Sequence, residues 1–209
     1  MSFFEKFVKQ CGNPTGKFGE FVGRTMNLSH TPNRRWGLSY VDIASDAVIL
    51  DVGCGGGKGV QDMSRLASSG KVYGIDISED MVRLASSVNS RGIARGHVEI
   101  LKNAVSSLPF DDGTFDLITA FENYFFWPDL ISDLNEIKRV LKTGGHLFIV
   151  NEAYKDAAFE KRNSKWASLL GIEFNTQEEL EAILRSAGYR DVVVNVFQKK
   201  NWIAAIARK

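Results

Sequence analysis

The chain of 209 residues predicts an α/β fold: a doubly wound sheet of seven strands, mostly parallel, with helices on both faces and a C-terminal antiparallel hairpin strand. Three observations predict it. Short apolar runs near 47–52, 71–75, 97–102, 115–121 and 145–151 alternate with helix-period segments, as in a parallel sheet covered on both sides. The first run ends in an acid and a cluster of glycines, Asp51-Val52-Gly53-Cys54-Gly55-Gly56-Gly57-Lys58-Gly59. Two β-rich runs, Asp191 to Phe197 and Trp202 to Ala207, lie close enough in sequence to pair as a hairpin at the sheet edge.

About 45 residues precede the first strand, and the sheet does not require them. Phe3, Phe4, Phe7 and Val8 recur at helical spacing, as do Phe18, Phe21, Val22, Thr25 and Met26. Such stripes ordinarily pack on a core. Thr31-Pro32 reads as the cap and first position of a third helix carrying Arg34, Arg35, Trp36 and Tyr40. A basic pair beside aromatics is read in two ways, as a holder of an anionic or aromatic substrate or as a solvated helix face.

The glycine cluster between strand and helix lets a ligand approach the main chain and aims free N–H groups at it. Its spacing excludes two ligand classes. The dinucleotide pattern G-x-G-x-x-G fails in both registers, because Lys58 or Val60 stands where its last glycine belongs. The Walker pattern fails because Gly59, not Ser or Thr, follows Lys58. The second strand ends in Asp76, nineteen positions beyond Gly57, where an acid can accept hydrogen bonds from both hydroxyls of a ribose. A nucleoside without a pyrophosphate fits both observations.

Asn103-Ala104 then precedes Leu108-Pro109-Phe110-Asp111-Asp112-Gly113-Thr114-Phe115-Asp116, and the fourth strand runs into Phe121-Glu122-Asn123-Tyr124-Phe125-Phe126-Trp127-Pro128. Leu141-Lys142-Thr143-Gly144-Gly145 leads into the fifth strand. From Glu152 to Phe174 runs a segment with Phe159, Trp166, Leu169 and Leu170 able to face a pocket, while its cations Lys161, Arg162 and Lys165 read as surface. Thr176-x-x-Glu179 is a capping box opening a helix through Ala187, which Gly188 stops.

Taken in order, these motifs resemble the class I S-adenosylmethionine-dependent methyltransferases of the small-molecule, quinone-biosynthesis-like (type 11) group, over roughly residues 44–151 and more loosely beyond. The resemblance implies a single domain with an N-terminal helical lid (1–45), a cofactor-binding core (46–151) and a lid segment with the C-terminal sheet edge (152–209). It implies S-adenosylmethionine as cofactor and S-adenosylhomocysteine as product. Asp51 then faces the ammonium end, Gly53, Cys54, Gly55 and Gly57 clear room for the methionine part, and Asp76 takes the ribose. Ile77 packs on the adenine, with Met81, Ala104 and Phe121 also in the cofactor set. Asn103 stands where the family has Asp; its amide oxygen still accepts from the adenine amino group, without charge assistance. Thr143 likewise replaces a family proline.

Methyl transfer from a sulfonium is an in-line displacement with a neutral leaving group, so alignment and exclusion of water suffice unless the acceptor is a hydroxyl or thiol, which a general base helps. Glu122 is the first candidate base and His30 the second. Glu122 is equally readable as a hydrogen-bond partner of the cofactor or a lid. Tyr124, Trp127, Arg34 and Trp36 are the candidate substrate contacts, and aromatic faces here suit a cationic sulfonium. The chain lacks the [DN]-P-P-[YFW] motif of adenine-amino enzymes, the Pro-Cys of cytosine C5 enzymes and the cysteines of arsenic enzymes.

With 44% apolar residues, 24% charged residues and a net charge of +1, no strong field favours nucleic acid or an anionic membrane. Phe3-Phe4-Glu5-Lys6 is unlike a signal peptide, and no window approaches ~18 apolar residues, so a cytoplasmic monomer or homodimer without a membrane span is expected. Cys11 and Cys54 lack metal-ligand spacing, and no metal is expected. The acceptor expected is a small molecule. An RNA or protein methyltransferase, or a non-catalytic binding protein, remains the alternative.

Overall fold

A computed structural model describes residues 3–12 and 14–209 of the chain; the side chains of residues 3–6 and 9, Phe3 and Phe4 among them, lie outside the described set. The elements run α1 (Phe3–Gly12), α2 (Gly16–Ser29), α3 (Thr31–Leu38), β1 (Val48–Val52), α4 (Lys58–Leu66), β2 (Lys71–Asp76), α5 (Glu79–Val88), α6 (Ser90–Ala94), β3 (Val98–Lys102) and β4 (Phe115–Phe121). They continue with α7 (Leu130–Val140), β5 (Leu141–Asn151), α8 (Glu160–Leu170), α9 (Gln177–Ser186), β6 (Arg190–Phe197) and β7 (Trp202–Arg208).

The seven strands form one sheet in the order β3-β2-β1-β4-β5-β7-β6. The first five pair in parallel, and β7 lies antiparallel between β5 and β6. The hairpin expected at the C-terminus therefore enters with its second strand innermost.

Period-two alternation divides the core between the two faces. Leu50, Val52, Ile118, Leu147 and Ile149 pack with Leu134 and Ile137 of α7 and Leu180 and Leu184 of α9. Ile49, Val72, Leu117, Phe148 and Val150 pack on the other side with Val60 and Met63 of α4. A strand buried on both faces must be apolar throughout, which is why the runs were readable without a polar-apolar alternation.

Several boundaries differ from expectation; α3 ends at Leu38, short of Tyr40, and α9 at Ser186, short of Ala187. β5 begins at Leu141, not 145, because fully buried Leu141 already pairs with Phe115; the register then shifts, so that Leu117 faces His146. His30, not Thr31, is the residue before α3, and the Thr31 hydroxyl turns back to donate to Asn27 O at 2.9 Å. The capping box of α9 is complete: Thr176 Oγ1 accepts the Glu179 N–H at 3.1 Å, and Glu179 Oε2 accepts the Thr176 N–H at 2.8 Å.

The strand order reverses between β1 and β4, where β2 and β5 diverge to either side. In an open α/β sheet that switch opens a crevice beyond the carboxyl ends of the strands. Asp51, Asp76, Glu122 and Glu152 all belong to these ends.

Candidate active site

The loop after β1 is built around contacts only glycine permits. Gly53 has φ +62, and a Cβ there would lie 2.6 Å from Asn123 Nδ2. That amide instead donates to Val52 O at 2.6 Å and Gly53 O at 3.1 Å, tying the end of β1 to the turn after β4. Gly57 opens α4 at φ +76, against the backbone of Ala85. Asp76 closes the loop from the other side: Oδ2 accepts the Gly55 N–H at 2.9 Å and Oδ1 the Ser78 N–H at 2.8 Å. Asn27 of α2 donates to Gly56 O at 2.9 Å, so an N-terminal helix is pinned to the loop.

Above these strand ends lies a cavity of about 820 Å³, in the upper part of the usual range for ligand sites. Its wall includes Asp51, Gly53, Cys54, Gly55, Asp76, Ile77, Met81, Asn103, Ala104 and Phe121, and also Glu122, His30, Trp127 and Arg34. Residues of α1, α2 and α8 complete it, among them Phe7, Met26, Trp166 and Leu170.

Three expected contacts lie outside the cavity wall. Gly57 is turned away from the cavity, because it serves the packing of α4 on α5. Tyr124 is core: it is 2% exposed and donates its hydroxyl to Asn175 Oδ1 at 3.0 Å. Trp36 sits outside the cavity, its ring 5.8 Å from Trp202 and 5.4 Å from Tyr40, since α3 turns that face toward β7. Arg34 reaches the wall, but its Nη2 and Nε are held by Asp62 Oδ2 at 2.9 and 3.1 Å.

Burial sets the charges. Asp51 is pushed up to about 7 by desolvation, against a hydrogen bond from Thr119 Oγ1 at 2.7 Å and the attraction of Arg34. Burial also raises Asp76, and its two backbone N–H partners oppose the rise. Glu122 is pushed up to about 8, chiefly by desolvation, with the positive charge of His30 opposing. It also departs from ordinary backbone geometry at φ +59, and its buried Oε1 has no hydrogen-bond partner among the described residues. A strained, desolvated carboxyl at a strand end is a costly arrangement of the kind found at reacting centres.

His30 stands beside it, its Nε2 3.5 Å from Glu152 Oε1. Burial alone lowers the imidazole, but the carboxylates of Glu152 and Glu122 reverse this and hold it above its ordinary range. Cys54 is a poor nucleophile, its thiol raised well above normal by burial and by Asp76 and Asp51.

Glu152, Asn27 and Arg162 were not foreseen. Glu152 carries the same signature as Asp76 and Glu122, an acid at the end of a buried strand. Asn27 and Arg162 carry none, because nothing in a helix sequence says which polar side chain reaches a cavity wall.

This sheet order, the loop between β1 and α4 and the acid at the end of β2 define the class: a class I S-adenosylmethionine-dependent methyltransferase. A family model described as a methyltransferase domain matches residues 50–149. The demethylmenaquinone methyltransferase of Lactococcus lactis is 31% identical over 164 residues, 68% of this chain and 65% of that protein. That of Lactiplantibacillus plantarum is 28% identical over 202 residues, 86% of this chain and 84% of that one. Among solved structures, an S-adenosylmethionine-dependent methyltransferase from Aquifex aeolicus superposes with a TM-score of 0.70 at 23% identity, covering 99% of this chain and 98% of that one. The chain thus resembles the quinone-biosynthesis, type 11 methyltransferases within its class. No described helix is long and apolar enough to cross a membrane.

Proposed function

We propose that the chain transfers the methyl group of S-adenosylmethionine to a flat, hydroxylated small molecule held over the ends of β4 and β5, with Glu122 taking the acceptor's proton. The residues of the cavity fit the cofactor. A Cβ at Gly55 would meet nothing within 4 Å, leaving the loop bare for a ligand's main-chain approach. Asp51 is fully buried with one hydroxyl donor, a position a cationic ammonium completes. Asp76 keeps lone pairs for a ribose diol after accepting two N–H groups. Ile77, Met81, Asn103 and Ala104 line the same cavity and would hold the adenine.

The bound cofactor supplies an electrophilic methyl on a sulfonium. The chain does the rest: it orients the acceptor, excludes water and holds a proton at Glu122. Phe121, Trp127 and Trp166 supply walls for a ring. His30, paired with Glu152, opposes the desolvation that keeps the Glu122 carboxyl protonated, and the segments α1, α2 and α8 act as lids.

The observation that carries this reading is one continuous cavity joining Asp76 and Asn103 to the desolvated Glu122. The relatives named as demethylmenaquinone methyltransferases support a ring hydroxyl or an adjacent carbon as the acceptor site. The test is transfer of isotopically labelled methyl from S-adenosylmethionine to a panel of dihydroxynaphthalenes and other phenols, with tRNA and protein extract as the opposing arms. Labelling of a phenol, lost in Glu122→Gln, supports the proposal; labelling confined to RNA or protein refutes it.

A further inference from the structure

The cavity spans five adjacent strands, from Asp76 on β2 to Trp202 on β7, four spacings or roughly 19 Å of sheet. The cofactor residues occupy the β2 and β1 side. The far side, at β5 and β7, is lined by Glu152, Arg162, Trp166, Lys200 and Trp202, and Arg162 is the unusual member.

Two arginines reach the cavity wall, and they are held differently. Arg34 is paired with Asp62. Arg162 has no carboxylate within ion-pair distance among the described residues, and its partners are neutral. Nε and Nη2 donate to Asn163 Oδ1 at 3.2 and 3.1 Å, Nη2 also to Asn201 Oδ1 at 2.5 Å and Glu152 O at 3.4 Å, and the guanidinium lies 4.8 Å from the centre of the Phe159 ring. The two asparagines are buried, at 6% and 0% exposure, and are fixed by donating to Tyr154 O at 2.7 and 3.0 Å. Asn201 adopts φ +60 between Lys200 and Trp202, both of which face the cavity. Glu152 attracts Arg162 only from beyond ion-pair range, its carboxylate lying against His30.

The result is an exposed guanidinium held by buried amides, with no carboxylate in ion-pair contact and Nη1 without a protein acceptor among the described residues, in a cavity wall that also includes Lys200, Trp166 and Trp202. With Nε and Nη2 already donating to protein oxygens, Nη1 is left to donate to one oxygen of an oxyanion, which the guanidinium charge also attracts. We propose that Arg162, with Lys200, is an anion subsite at the acceptor end of the cavity, so that the methyl acceptor is a planar ring bearing a carboxylate or phosphate. This rests on the methyltransferase reading above and narrows its substrate class.

The test uses the full chain saturated with S-adenosylhomocysteine and titrated with 2-hydroxybenzoate, phenyl phosphate and the neutral 2-hydroxybenzamide. At least one anion is expected to bind about fivefold or more tightly than the amide, and the tighter of the two names the source of the charge. Arg162→Gln is expected to bring the anion to parity with the amide while S-adenosylhomocysteine still binds. Lys200→Gln, at an exposed side chain, is expected to shift affinity the same way by a smaller factor. Equal affinities for all three probes, no binding of any, or a preference that survives both substitutions overturns the subsite. Failure of the wild-type chain to bind S-adenosylhomocysteine overturns the methyltransferase reading instead, so the two failures are distinct.

Discussion

Asn123 Nδ2 donates to the carbonyl of Gly53 at 3.1 Å, and a Cβ on Gly53 would fall 2.6 Å from that same nitrogen. The turn after β4 and the loop after β1 are thus fitted to each other at a distance only glycine allows. The residue before Asn123 is Glu122, at left-handed φ, so the clamp that shapes the cofactor loop also aims the candidate base.

Substituting Asn123 therefore affects both. Asn123→Ala removes two donors to buried carbonyls and is expected to destabilise the fold by about 1–3 kcal/mol. Urea unfolding reads that loss, and S-adenosylhomocysteine affinity should fall with it; an unchanged midpoint and affinity would show that the clamp is incidental.

Asp76→Ala is expected to weaken S-adenosylmethionine binding by about ten- to a hundredfold, the loss of one or two charge-assisted hydrogen bonds. Calorimetry checks it. The variant also leaves the Gly55 and Ser78 N–H groups without acceptors, so loosening of the loop should add to the effect.

Glu122 gives a prediction with a sign. Its carboxyl titrates near 8 in the folded chain against 4.5 as the ordinary value, so the folded state keeps a proton that the unfolded state has released. The stability associated with that proton is fully present below about 4.5 and is lost as pH rises through about 8. Glu122→Gln cannot ionise, so its melting midpoint should exceed that of the ligand-free wild type by about 2–4 °C per kcal/mol at pH 8 and not at pH 4.5. As a base the carboxyl must be ionised, so wild-type kcat/KM should climb through about pH 8, and Glu122→Gln should lower kcat by about 10²–10⁴. A flat pH profile with unchanged turnover would contradict the base role.

Arg34 belongs to the frame. It is 4% exposed and sits on Asp62, which also meets Lys58 at 3.1 Å. Asp62→Ala strands a buried guanidinium and is expected to cost about 3–5 kcal/mol, read by chemical denaturation. A loss under 1 kcal/mol would mean that water reaches Arg34.

What the sequence carried and what it withheld follow from how each signal is encoded. The strands were legible because burial on both faces demands unbroken apolar runs, and the capping box because its reciprocal bonds need Thr176 and Glu179 at fixed spacing. The loop was legible through its glycines and through Asp76. Tyr124 and Trp36 were misplaced because an aromatic residue after a strand or on a helix reads the same whether it lines a cavity or fills a core. In the structure the Tyr124 hydroxyl found Asn175, 51 residues away, and Trp36 found Trp202. Arg162 is exposed, as a surface cation is, but its place on the cavity wall was not legible, because the amides that hold it, Asn163 and Asn201, are 38 residues apart in the chain.

Calorimetric titration with S-adenosylmethionine, S-adenosylhomocysteine and NADH, repeated on Asp76→Ala, decides whether the cavity takes S-adenosylmethionine through Asp76. Binding of the first two and not of NADH, weakened in the variant, is the expected result. NADH binding, or no loss of S-adenosylmethionine affinity in Asp76→Ala, would contradict it.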